Sequence, residues 1–120
     1  MIGNVDESGR ALLDVSVASK SDGFAKPVTV WIDTAFDGHF VFSQSLIDEL
    51  GLESLVETEA ILADGSTVQL ETYLCYVDWF GERMPVQVIA NEGRYPLLGT
   101  GLLENRVLHI DYIRRELRLD

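Results

Sequence analysis

A mainly β chain that closes on itself as a small barrel is the fold class this sequence predicts. Short runs of alternating apolar and polar residues recur along the chain, separated by turn-forming steps such as Asp64-Gly65 and Gly81-Glu82. A single stretch repeats its apolar residues at helical spacing. Many short strands with turns at regular intervals point to a closed or folded-over antiparallel structure.

Residues 11–18 alternate as Leu-Leu-Asp-Val-Ser-Val-Ala, the pattern of a half-buried strand. Lys20-Ser21-Asp22-Gly23 supplies the turn that follows. Residues 27–32 form a more continuously apolar strand, and residues 40–42 a short one. Over residues 43–52 the period changes. Leu46, Ile47 and Leu50 share a face, Ser43 or Ser45 is available as N-cap and Gly51 as the stop, so a helix of about two turns is expected.

Strand character then returns. Residues 58–63 and 66–73 flank Asp64-Gly65 as a hairpin, and residues 73–80 and 83–90 flank Gly81-Glu82 as another. Residues 96–103 are apolar but interrupted by Gly99 and Gly101. Residues 107–112 and 116–119 make a last strand pair around Arg114-Arg115. Residues 1–10 are polar and acidic and receive no element. Trp31, Trp79 and Cys75 lie in apolar runs and are assigned to the core, Cys75 as an inert thiol.

Composition narrows the function classes. With 120 residues and 47% hydrophobic content, residues 1–120 are expected to form one domain, and the opening Met1 argues for a whole chain over an excerpt. A formal charge of −11 makes nucleic acid a poor partner, because phosphate binding needs clustered Lys and Arg. Acids thicken between Asp48 and Glu71, while Arg114, Arg115 and Arg118 crowd the other end. That balance is the mark of a solvated acidic face, or of a preference for neutral or basic substrates. No apolar stretch reaches the ~20 residues of a membrane span. The polar start is no signal peptide, and one cysteine cannot form an internal disulfide, so a cytoplasmic location is expected. His39 and His109, even with Asp37 or Asp111, lack the spacing of a zinc site, so neither a metal nor any other cofactor is expected.

The chemistry concentrates at Val30-Trp31-Ile32-Asp33-Thr34-Ala35-Phe36-Asp37-Gly38. An apolar run delivers a lone carboxylate to a small residue. Burying that carboxylate is costly unless it is hydrogen-bonded or keeps its proton. Taken alone, Asp33 also fits a turn or cap residue at a strand end, and Asp37-Gly38 fits plain turn chemistry.

This stretch resembles the active-site strand of the retropepsin-like aspartic proteases, whose pattern is apolar-apolar-Asp-Thr/Ser-Gly. The resemblance extends over nearly the whole chain. It takes in a strand pair before Asp33-Thr34-Ala35, a flap-like hairpin tipped at Asp64-Gly65-Ser66, a second hairpin at Gly81, and Leu97-Leu98-Gly99 followed by Leu102-Leu103. The short helix ending Glu-Leu-Gly-Leu is similar to that of small prokaryotic single-domain members. Ala35 stands where the family has Gly, and Thr100 where viral relatives often carry Arg.

The resemblance implies a closed retropepsin-like barrel and an aspartic endopeptidase. It implies a homodimer, because the family's catalytic unit needs two facing aspartates and this chain supplies one. Asp33 would be the catalytic residue, Thr34 and Ala35 would support it, and Asp37, Asp64, Gly65 and Ser66 would contact a peptide substrate. The alternative, raised by Ala35, is a non-catalytic retropepsin-like domain that dimerises or binds peptides.

Overall fold

The structure is a computed structural model that describes residues 1–55, 58–61, 63–93 and 95–120, with the backbone alone at 58–60 and 68–70. In chain order its elements are β1 (Ile2–Val5), β2 (Ala11–Ala18), β3 (Lys26–Ile32), β4 (Phe40–Phe42), α1 (Gln44–Leu50) and β5 (Glu53–Ser54). There follow β6 (Thr58–Ile61), β7 (Thr67–Leu70), β8 (Thr72–Trp79), β9 (Glu82–Ala90), β10 (Leu97–Leu98), a 3-10 turn (Thr100–Leu102), β11 (Leu108–Asp111) and β12 (Glu116–Leu119). Leu62, placed in a strand by the sequence pattern, lies outside the described residues.

Six strands close a barrel in the order β2-β3-β10-β4-β9-β8, and β8 returns to β2 through Ser16 opposite Asp78 and Val17 opposite Val77. Closure removes the sheet edges that an open arrangement of these strands would expose. The expectation of purely antiparallel pairing is corrected. β10 runs parallel to β3, and β4 runs parallel to β9. Such pairings need long crossovers, which local sequence does not reveal.

The barrel is filled by alternate residues of its strands. Leu13, Val15 and Val17 of β2 meet Val28, Val30 and Ile32 of β3, with Phe40, Phe42, Val77, Val88 and Leu98 from the other staves. Phe40 and Phe42 stack with ring centroids 5.0 Å apart. β3 is therefore not continuously buried. From Pro27 onward exposed and buried residues alternate, and Trp31 points outward with 39% of its surface exposed, against the core position expected for it. Trp79 and Cys75 are buried as expected, and burial pushes the Cys75 thiol up to about 12.

The helix forms for the local reasons its sequence contains. Ser43 caps it, its hydroxyl accepting from the Leu46 N–H at 3.2 Å, and Gly51 ends it in the left-handed conformation. Ile47 is the face it buries. The β8–β9 hairpin turns one residue earlier than expected. Trp79 pairs with Glu82, so Phe80 and Gly81 form the loop, both at positive φ as a two-residue turn of this type requires.

The first residues, given no element by the sequence, form β1. It lies between β2 and β12, with Ile2 opposite Arg118 and Asn4 opposite Leu12. β11 completes this terminal sheet on the far side of β12. Among the described residues no helix is long and apolar enough to cross a membrane.

Candidate active site

Asp33 leaves the end of β3 directly into a tight loop. Its N–H donates to the carbonyl oxygen of Leu98 at 2.9 Å, which carries the β3–β10 pairing one residue beyond Ile32. The chain then folds back. The Ala35 N–H donates to Asp33 Oδ1 at 2.9 Å, and the Phe36 N–H reaches the Asp33 carbonyl at 3.3 Å. One carboxylate oxygen is thus tied to the loop. The other has no hydrogen-bond partner among the described residues.

The loop is buttressed from behind by the Leu97-Leu98-Gly99 segment and the turn after it. The Thr100 N–H and hydroxyl both donate to the Phe36 carbonyl, at 2.8 and 3.2 Å. The Gly99 N–H donates to the His39 carbonyl at 2.8 Å, and the Gly101 N–H to the Gly38 carbonyl at 3.0 Å. This close approach is why residue 99 is glycine. A Cβ there would lie 2.7 Å from the Phe36 carbonyl oxygen and nearer still to that of Gly38. His39 closes the far end of the loop, its Nδ1 accepting from the Gln87 N–H at 3.1 Å. Partial burial pushes its pKa below the ordinary value.

The carboxylate opens into a concavity of about 430 Å³ lined by Trp31, Ile32, Asp33, Thr34, Ala35 and Leu97. Asp33 is half-buried, and Thr34 and Ala35 are exposed, so the enclosed carboxylate expected from the sequence is not what a single chain presents. Beside the concavity stands a group that the sequence did not reveal. Tyr95 meets Trp31 edge-on at 6.3 Å, and the Arg10 guanidinium lies 4.3 Å from the Tyr95 ring centre and 5.8 Å from that of Trp31. Asp6 holds Arg10 there through a 2.7 Å ion pair, and hydrogen bonds from the Arg10 backbone and guanidinium lower the Asp6 carboxyl below its usual range. The available signal was the strand alternation that turns Trp31 outward.

The remaining predicted site residues do not converge on Asp33. Asp37 is exposed and lines a separate concavity with Thr100, Gly101, Leu103 and Glu104. Asp64, Gly65 and Ser66 form the tip of the β6–β7 hairpin, which is a two-stranded sheet of its own. There Asp64 Oδ1 accepts from both the N–H and the hydroxyl of Ser66, at 2.9 and 2.6 Å, and Gly65 takes positive φ. Among the described residues no hydrogen bond or ion pair joins this tip to the Asp33 loop. No group of three His, Cys, Asp or Glu side chains is placed to hold a metal ion among them either.

No protein-family model and no curated protein matches the chain. Solved structures do. A retropepsin-like aspartic protease from Rickettsia conorii superimposes with a TM-score of 0.71 at 17% identity, covering 99% of this chain and 88% of that one. EIAV protease in complex with an inhibitor gives 0.56 at 15% identity over 83% of this chain and 90% of that one. The retroviral protease-like domain of Ddi1 from Leishmania major gives 0.51 at 15% identity over 91% of this chain and 88% of that one. The closed barrel, its short helix and the loop at its mouth are a retropepsin-like fold.

Proposed function

We propose that this chain is a retropepsin-like aspartic endopeptidase that works as a homodimer, each subunit contributing one Asp33. The observation that carries this reading is the Asp33 carboxylate itself. It sits at the mouth of the barrel, one oxygen fixed by the Ala35 N–H, in an open concavity on a loop braced by backbone hydrogen bonds to Leu98, Gly99 and Thr100.

One such carboxylate cannot serve as acid and base together. Two of them facing across a two-fold axis can, because like charges held close do not both ionise and the pair shares a proton. The ionised carboxylate takes a proton from a water held between the two, and the hydroxyl adds to the peptide carbonyl carbon. The protonated carboxyl gives its proton to the carbonyl oxygen, leaving a neutral diol. Collapse of the diol breaks the C–N bond as a carboxyl proton passes to the leaving amine. Exposed Thr34 braces one loop against the other across the axis. The Asp64–Ser66 tip closes over an extended peptide, and Asp37 meets its backbone. The half-exposed state of Asp33 in one chain is consistent with a site completed by a second.

The test is cleavage of a panel of unstructured peptides at mildly acidic pH by the wild type and by Asp33→Asn. The amide keeps the shape but cannot act as a base, so cleavage should vanish while fold and mass are kept. Full cleavage by the variant would place the chemistry elsewhere. A folded wild type that cleaves nothing would leave the non-catalytic, peptide-binding domain.

A further inference from the structure

We infer that the concavity beside Asp33 carries a specificity site for an acidic side chain of the peptide, glutamate above all, and that Arg10 is the residue that selects it. This rests on the peptide-cleaving reading of the Asp33 site and names the side chain that the site takes.

Three segments far apart in the sequence converge to place Arg10. It ends the turn between β1 and β2, and Asp6 builds that turn. Asp6 Oδ1 accepts from the Ser8 and Arg10 N–H groups at 3.0 and 2.9 Å, and Oδ2 accepts from Arg10 Nε at 2.7 Å. Two residues further on, Leu12 sits opposite Trp31 of β3, which brings the start of β2 alongside the outward-pointing indole. The Trp31 N–H donates to the Pro96 carbonyl at 2.8 Å and so pins the neighbouring Tyr95 to the same place. The guanidinium lies against both rings, nearer to Tyr95 than to Trp31.

These contacts leave the outer edge of the guanidinium unused. Stacking takes up a face, and Asp6 takes up Nε. Nη1 and Nη2 have no hydrogen-bond or ion-pair partner among the described residues, and the Arg10 side chain keeps 27% of its surface exposed. Two N–H groups on a plane already held in position are the fork that grips a carboxylate with paired hydrogen bonds. Both oxygens of Asp6 are engaged within its own turn. Trp31 lines the concavity together with Asp33, so a substrate side chain entering beside the scissile bond can lay its stem along the indole and end at Arg10. Glutamate has the stem for this, and aspartate is shorter by one methylene. The rest of the molecule works in the opposite direction. At a formal charge of −11 the chain repels acidic peptides as a whole, so a glutamate preference confined to one position has a local cause.

The test offers short unstructured peptides with Glu or Gln at each position in turn, and reads both cleavage by the wild type and binding to Asp33→Asn. Binding is followed by tryptophan emission, since Trp31 is partly exposed and Trp79 is buried. At one position beside the cut, Glu should be preferred over Gln about tenfold, the size of one charge-assisted contact at a partly exposed site. Arg10→Gln should bring that ratio close to one. Arg10→Lys keeps the charge without the fork and should reduce the preference, so the test stands even where the Gln variant fails to fold. A ratio near one at every position in the wild type would overturn the proposal, as would a preference that the Arg10 variants leave unmoved. So would an Arg10→Gln variant that loses the dimer while the ratio stays, because the free nitrogens would then serve the partner subunit. The protease reading is scored separately. Asp33-dependent cleavage without an Arg10-dependent ratio makes only the specificity site wrong. Arg10-dependent binding of Glu peptides without cleavage makes only the protease reading wrong, and a chain that neither binds nor cleaves any peptide loses both.

Discussion

The backbone N–H of Asp33 is held by the carbonyl oxygen of Leu98 at 2.9 Å, so the position of the carboxylate is set by a strand from the other end of the sequence. The next residue, Gly99, presses against the carbonyls of Phe36 and Gly38 on the same loop. Gly99→Ala is therefore expected to push the loop off its support. It should cost about 1–3 kcal/mol of stability by overpacking and reduce any Asp33-dependent cleavage by more than the stability loss explains. Chemical denaturation read beside an activity assay checks this. Unchanged values of both would mean that the loop does not depend on this contact.

Ala35 takes no positive φ, unlike Phe80, Asn105 and Arg115. Ala35→Gly thus gains no conformational relief and adds freedom to the unfolded chain, so it should lose about 0.5–1 kcal/mol of stability. The same change removes a methyl group from the lining of the Asp33 concavity, and cleavage of extended peptides should become faster. A slower variant would show that the methyl group helps to hold the substrate or the loop.

His39 can accept from the Gln87 N–H only while Nδ1 is unprotonated, and partial burial already pushes its pKa below the ordinary 6.5. Between its folded pKa and 6.5 the unfolded chain binds a proton that the folded chain does not. Stability contributed by neutral His39 is therefore complete above 6.5, falls as the pH drops below it, and levels off beneath the folded pKa. An NMR titration of the imidazole and a pH series of denaturation curves should agree, and His39→Gln should flatten the slope. A His39 that titrates above 6.5 would contradict the burial argument.

Among the described residues the β6–β7 hairpin pairs with no third strand, and a two-stranded sheet alone is marginal in water. Amide exchange over residues 63–68 should be faster than over residues 28–32, which lie in the closed barrel. Equal protection of the two segments would argue against a closing flap.

Local chemistry was legible in the sequence and long-range pairing was not. Ser43, Gly51 and Asp64-Gly65 act on their immediate neighbours, and the helix and the flap-like hairpin follow from them. β1 could not be read from the first residues, because its strand character comes from β12 at the opposite end of the chain. Trp31 was misplaced because its run was taken as continuously apolar, although polar Thr29 two residues earlier marks the outward face that Trp31 shares. At the site, Asp33 and the Leu97-Leu98-Gly99 buttress were visible as residues, and their mutual hydrogen bonds fit that reading. The Arg10–Tyr95–Trp31 group was not visible, since no local spacing brings an N-terminal arginine beside a tyrosine next to β10. The separation of Asp37 from the Asp33 concavity could be learned only from the folded loop.

The pairing of β1 with β12 has a consequence for how the protein is made. Synthesis produces β1 long before β12, yet each is a neighbour of the other in the finished sheet. While the chain is growing, β1 can find β2 but must leave its second edge bare. Leu117 and Leu119, both fully buried in the end, are made only after the other strands of the sheet. Contacts of this separation are slow to form, and bare strand edges are open to wrong partners in the meantime. The nascent chain is therefore most vulnerable until β12 has been made, and a chain stalled before Glu116 carries an unpaired strand and an unfilled core.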